Sequence, residues 1–358
     1  MKKILCLIDG LSAGGAQRQL VGLAKLLQDN GYEVLFVWYH ETDFYRSFLQ
    51  DNKIPYKQFA ASKKLNKFWK VLKVTKEYQP DTIIAYIDGP TMASCVMKML
   101  GLKTKIIVSE RAVIQNINRH QRFKFFLYRW ADFVVSNAQD QTNLINANFK
   151  ALRSKTITIR NFVDTEYFIP KNNVEDSSIR ILVVGRLSRQ KNMICFMKAI
   201  RQVLDDGLSV QVKWFGGKSD RQKEYINETF RVQKELYLND AVQFLPPTND
   251  ILSEYQKCDV FCLPSLYKGF PNVICEAMSC GKPILCSDVN DNSFVVHHNE
   301  NGLLFNPTSA EDIAAKIKTF CLKSLKERDE MGKASRRIAM EQFSGESFVN
   351  KYIQLIES

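Results

Sequence analysis

The chain has 358 residues, 45% of them hydrophobic, and a formal charge of +12. Such a length exceeds one ordinary core, and the apolar share suffices to build two, which sets aside disorder and a lone small domain. The positive surplus favours anionic partners, but no RNP-like aromatic motif, KH loop or zinc-finger spacing is present, so nucleic acid is not expected.

In chain order, "KKILCLI" reads as a buried first strand. Its apolar run is too short for a signal-peptide core, and a cytoplasmic location is expected. The turn "DGLSAGGAQR" follows, where Gly14 and Gly15 either let backbone N–H groups approach an anion at a helix start or simply turn the chain. It is not GxGxxG, which argues against a dinucleotide dehydrogenase. Leu20, Leu23, Ala24 and Leu27 keep a helical period until Gly31 stops it. The strand "YEVLFVWY" comes next.

In "SKKLNKFWKVLKVTKEY", Lys63, Lys64, Lys67, Lys70, Lys73 and Lys76 surround Phe68 and Trp69. After the strands "DTIIAYI" and "KIIVS", the stretch "SERAV" (Ser109 to Val113) should open on a binding cleft. Glu110 and Arg111 there either contact a ligand or form a surface salt bridge. In "NRHQRFKFFLYRWADF", a helical wheel turns Phe123, Phe126, Leu127 and Trp130 inward. The same wheel puts Phe125 outward between Arg122 and Arg129. Two such basic–aromatic helices are either solvated faces or an interfacial surface with Lys67, Trp69, Arg122, Phe125 and Arg129 in contact with lipid.

The strands "DFVVSN" and "TITIRNFV" close the first half, and the polar "IPKNNVEDSS" (residues 169–178) reads as a linker. The alternation then restarts with "IRILVVG", "VQVKWFGG", "VQFLPP", "DVFCLPS" and "KPILCSD". The expected architecture is α/β, with Rossmann-like domains over residues 1–168 and 179–344 facing a central cleft. Phe348, Tyr352 and Leu355 share one face of a final helix, 345–358, that should dock elsewhere.

Two further turns carry chemistry. In "VVGRLSRQKN", Gly185 ends a strand, and Arg186 and Lys191 flank a helix entry. That suits a diphosphate, the alternative being a solvated loop. In "LYKGFPNVICEAMSCGKPIL", Gly269 turns the chain and Pro271 suits a helix's first turn. Glu276 then lies among apolar neighbours. It either accepts hydrogen bonds from a ribose diol or is a partly exposed acid favoured by the helix dipole. The nine cysteines lack a pairing framework and read as reduced thiols. The four histidines offer no metal set.

"GRLSRQKN", "LPSLYKGFPNVICEAMSCGKPILCSDV", "NGLLFNP", "GGAQR" and "RNFVDTEYF" together resemble the retaining glycosyltransferases of family four, with the GT-B fold. The "SER" stretch is similar to that of bacterial members extending lipid-linked saccharides in surface polysaccharide assembly. The resemblance implies a UDP-sugar donor such as UDP-GalNAc, UDP-GlcNAc, UDP-Gal or UDP-Glc. It implies no cofactor or catalytic metal. Arg186 and Lys191 would hold the diphosphate and Glu276 the ribose, with Gly14, Gly15, Lys268, Gly269, Phe270, Pro271 and Asn272 completing the donor site. Ser109, Glu110 and Arg111 would meet a lipid-linked or polysaccharide acceptor at the inner face of an anionic membrane. The last helix would cross back to the first domain. One departure stands out: Lys268 occupies the first position of the family's paired-glutamate motif, so a nucleotide-sugar-binding pseudoenzyme is the alternative.

Overall fold

The computed structural model describes residues 1–59, 64–111, 114, 116–171, 178–218, 222–267 and 270–358. Lys63, Val113, Lys268, Gly269 and the middle of the expected linker, 172–177, lie outside them. Two compact units divide the chain: Met1–Phe162 with Gly345–Ser358, and Val163–Ser344.

The first unit alternates β1 (Lys3–Leu7), α1 (Gly15–Asp29), β2 (Glu33–Trp38), α2 (Arg46–Asp51), β3 (Tyr56–Gln58), α3 (Lys64–Tyr78), β4 (Thr82–Tyr86) and α4 (Asp88–Met99). It continues with β5 (Lys105–Glu110), α5 (Arg119–Leu127), β6 (Phe133–Ser136), α6 (Gln139–Asn148) and β7 (Thr156–Thr158). The sheet order is β3-β2-β1-β4-β5-β6-β7, with every pairing parallel. Strands covered by helices on both faces must be apolar throughout, and Ile4 to Leu7 are fully buried. In α1, Leu20, Leu23, Ala24 and Leu27 are buried as their period requires.

The second unit runs β8 (Ile179–Val184), α7 (Met193–Asp205), β9 (Val210–Phe215), α8 (Lys223–Glu235), β10 (Val242–Leu245), α9 (Ile251–Lys257), β11 (Val260–Leu263) and α10 (Asn272–Ser279). It ends with β12 (Ile284–Ser287), α11 (Asn292–Val295), β13 (Gly302–Phe305), α12 (Ala310–Cys321) and α13 (Leu325–Phe343). Its order, β10-β9-β8-β11-β12-β13, is again wholly parallel. Each sheet reverses winding once, between β1 and β4 and between β8 and β11. At such a reversal, neighbouring loops leave for opposite faces and open a crevice at the strands' carboxyl ends.

The last helix, α14 (Gly345–Glu357), belongs to the first unit. It buries Phe348, Tyr352 and Leu355 in the core that α1 covers. Its Tyr352 hydroxyl lies 2.8 Å from that of Tyr86 at the end of β4.

Candidate functional site

The second unit builds its crevice from the loops after β8 and β11. Gly185 ends β8, and Lys191 folds back over it: a Cβ at Gly185 would come 2.7 Å from the Lys191 Cε. Lys191 is only 9% exposed and contacts the Ser265 hydroxyl at 3.3 Å. Arg186 is exposed beside it. Gly216, at the end of β9, approaches so closely that a Cβ there would fall 2.0 Å from the Gly185 carbonyl oxygen. That carbonyl accepts the Trp214 indole N–H at 2.9 Å. Two strand ends therefore meet backbone to backbone, which glycine permits.

Across the crevice, α10 begins after Pro271 with no side-chain cap and no acid in its first turn. Asn272 and Ile274 donate their N–H groups to the Phe270 and Pro271 carbonyls, and the positive end of the helix dipole favours an anion there. Glu276, further along the same helix, is 5% exposed. One of its oxygens accepts the hydroxyl of Tyr255, a fully buried residue of α9, at 2.9 Å. The acid in an apolar helix thus meets a neutral donor that fixes its direction, and the partly exposed reading is excluded. Phe270 turns its ring into the core against Phe343, so its backbone alone remains for a ligand. Asn272 starts α10 and is half-buried.

The corresponding edge of the first unit holds a different arrangement. Gly14 caps α1, and the first turn there again has no acid and no side-chain cap. Ser109 and Glu110 end β5 and are buried. Glu110 pairs with the equally buried Lys124 at 2.5 Å, and Lys124 also reaches Asp88 at 3.0 Å. His120 contacts the other Asp88 oxygen at 2.9 Å. Burial alone would push the Asp88 carboxyl up, but the His120 hydrogen bond and the Lys124 ammonium hold it below the usual carboxylate range. Ile87, just before Asp88, adopts φ +71°, an outlier for a β-branched residue. Arg111 binds the hydroxyls of Tyr86 and Tyr352 and the Asn161 side chain, clamping α14 to the ends of β4 and β5. Glu110 is therefore held by a buried pair and Arg111 by the fold, rather than by a surface salt bridge.

Two family models match in tandem: "Glycosyltransferase Family 4" over residues 13–167 and "Glycosyl transferases group 1" over residues 164–338. The chain belongs to these GT-B glycosyltransferases. A Campylobacter jejuni protein, "GalNAc-alpha-(1->4)-GalNAc-alpha-(1->3)-diNAcBac-PP-undecaprenol alpha-1,4-N-acetyl-D-galactosaminyltransferase", is 26% identical, with 88% of each chain covered. The "UDP-Gal:alpha-D-GlcNAc-diphosphoundecaprenol alpha-1,3-galactosyltransferase" of Escherichia coli is 29% identical over 50% of each. HepE from Anabaena, solved in complex with UDP, superposes with a TM-score of 0.86 at 22% identity over 100% of both chains.

The structure of this glycosyltransferase corrects one reading outright. Phe125 does not face outward: it is 1% exposed and packs against Tyr128 and Phe149. Phe123 and Phe126, expected inside, are 55% and 47% exposed. The inward face of α5 is set by Lys124 reaching Glu110, and apolar periodicity counts a lysine as outward. The wheel is therefore turned by about one residue. Trp130 is partly buried and Leu127 buried, as expected. Arg122 and Arg129 are exposed, and Arg129 lies over the Phe126 ring. In α3, Trp69 is exposed, whereas Lys67 is half-buried over Tyr39. Sequence reasoning missed Tyr255, Ser265, Gly216, Asp88 and Lys124. The "FGG" ending β9 was the one signal that could have found any of them.

Proposed function

We propose that this glycosyltransferase is retaining and metal-independent, and that it moves a hexose from a UDP-sugar to a lipid-linked or polysaccharide acceptor. The observation that carries the donor half is the turn after β8, where the nearly buried Lys191 ammonium lies over Gly185 beside exposed Arg186, at the carboxyl edge of a parallel sheet. Arg186 and Lys191 would take the diphosphate together with the positive end of the α10 dipole. Glu276, aimed by Tyr255, would take a ribose hydroxyl. Cleavage of the sugar–phosphate bond leaves a cation-like sugar and a negative diphosphate, and preset cations and N–H groups lower the energy of that charge. The leaving phosphate would take the acceptor proton on the face it departs from, which retains configuration without a carboxylate pair. The two relatives, both of which carry names for acting on undecaprenol-linked saccharides, support the acceptor class.

On the first unit, Asp88 is the half-exposed end of the buried Glu110–Lys124 pair and the group best placed to meet an acceptor hydroxyl. No helix among the described residues is long and apolar enough to cross a membrane. The proposed contact with an anionic inner membrane face is peripheral, made by exposed Leu65 and Trp69 of α3 and Phe123 and Phe126 of α5. Both helices cover the same face of the sheet, and basic residues flank the aromatics. Co-sedimentation with phosphatidylglycerol vesicles should fall severalfold in Phe123→Ser/Phe126→Ser. Binding equal to wild type would place the contact elsewhere.

The donor reading is tested by UDP release from a panel of UDP-sugars, with and without undecaprenol-diphosphate saccharides. Release from one or more sugars is expected. UDP binding without any turnover would favour the pseudoenzyme reading that Lys268 suggests.

A further inference from the structure

The loops after β8 and β11 part company at the winding reversal. The first leads to α7, which packs on one face of the sheet through Phe196, Met197 and Ile200. The second leads to α10, which packs on the other through Ile274, Ala277 and Met278. Nothing in the sheet itself fixes how far apart these loops stand above it. Yet the proposed diphosphate site draws its cations from one loop and the positive end of a helix from the other.

Three successive residues of the second loop are tied to two of the first. Ser265 meets Lys191 Nζ at 3.3 Å. Leu266 donates its N–H to the Gln190 carbonyl at 2.9 Å. Tyr267 accepts the Gln190 side-chain Nε2–H at 2.8 Å through its own carbonyl. Gln190 thus uses main chain and side chain together, and it spans the crevice across 77 residues of sequence. Its side chain bonds backbone rather than a ligand-binding group, so its effect on a ligand must pass through the position of the loop.

We infer that Gln190 is a positioning residue that holds the two halves of the diphosphate site in register. The inference rests on the donor reading above. The Gln190 side chain ties the cationic turn to the stretch that delivers the α10 N-terminus, so losing it lets the two halves move apart. A nucleoside monophosphate can be held by ribose and base contacts plus one phosphate position. A diphosphate must satisfy both halves at once, and electrostatic binding by fixed donors falls steeply with misplacement. The affinity gained on adding the second phosphate therefore reports the register.

The test is calorimetry of UMP and UDP on wild type, Gln190→Ala and Gln190→Met. Methionine has nearly the same length and no charge, but it cannot donate. Wild type should bind UDP more tightly than UMP. Both variants should keep their UMP affinity and lose about tenfold of the UDP-over-UMP advantage, the scale of one missing hydrogen bond. An advantage retained in Gln190→Met overturns the inference and leaves the donor reading intact, since filling space would then suffice. Equal losses for UMP and UDP also overturn it, because the residue would be supporting the fold rather than the register. Wild type that binds neither nucleotide, or both equally, overturns the donor reading and this inference with it.

Discussion

The carboxyl edges of the two sheets carry the same types of charged residue in opposite circumstances. In the first unit, Lys124 and Glu110 are buried against each other, Asp88 joins Lys124 from outside, and the His120 ring is hydrogen-bonded to Asp88. In the second, Lys191 rests on a serine hydroxyl and Glu276 on a tyrosine hydroxyl. Neutral donors and acceptors orient a charge without cancelling it. The first arrangement joins opposite charges within the fold, whereas in the second each charged group is set in direction by a hydroxyl beside it. A buried ionisable residue is therefore informative about function chiefly through what holds it.

The strongest way to break this comparison is Lys124→Met. It leaves Glu110 buried without its ammonium, and loss of about 3–5 kcal/mol of stability is expected in a urea titration. A midpoint near that of wild type would show that the pair does not neutralise itself as described. Lys191→Met should behave in the opposite way. Its melting temperature should stay within a few degrees of wild type, while kcat falls roughly 100-fold or more, as for loss of a donor to developing charge. If it unfolds as readily as Lys124→Met, the two lysines do the same structural work and the contrast collapses. The mildest probe is Glu276→Gln, which still accepts from Tyr255. Calorimetry should show UDP binding weakened by about 1.5–3 kcal/mol, the loss of a charge-assisted bond, with stability little changed. Undiminished UDP affinity would remove Glu276 from the donor site.

The two sheets were legible in the sequence because buried parallel strands need long apolar runs, as "ILCL" and "IIAY" are, and because glycines follow their ends. The final helix was legible through Phe348, Tyr352 and Leu355. Three-residue β3 was not, since "YKQ" has no apolar run to betray it. The phase of α5 was misread because an inward lysine is invisible until its acid, Glu110, is known to lie beneath it. Glu276 and Lys191 could be singled out as charges at strand and helix ends. Their partners Tyr255 and Ser265 lie 21 and 74 residues away, and no local pattern encodes a contact at that distance. Gln190 escaped for the same reason: its role exists only once β8 and β11 are neighbours.

Because α14 completes the core of the first unit, that unit is interrupted in sequence by the whole of Val163–Ser344. During synthesis, residues 1–162 leave the ribosome with the α14-facing side of α1 uncovered and the Tyr86 hydroxyl still lacking Tyr352. At ordinary elongation rates that state lasts on the order of tens of seconds. A nonsense codon near residue 345 would damage the earliest-made part of the protein more than the part made just before it. An exposed apolar strip on a half-finished chain is also a natural target for a chaperone.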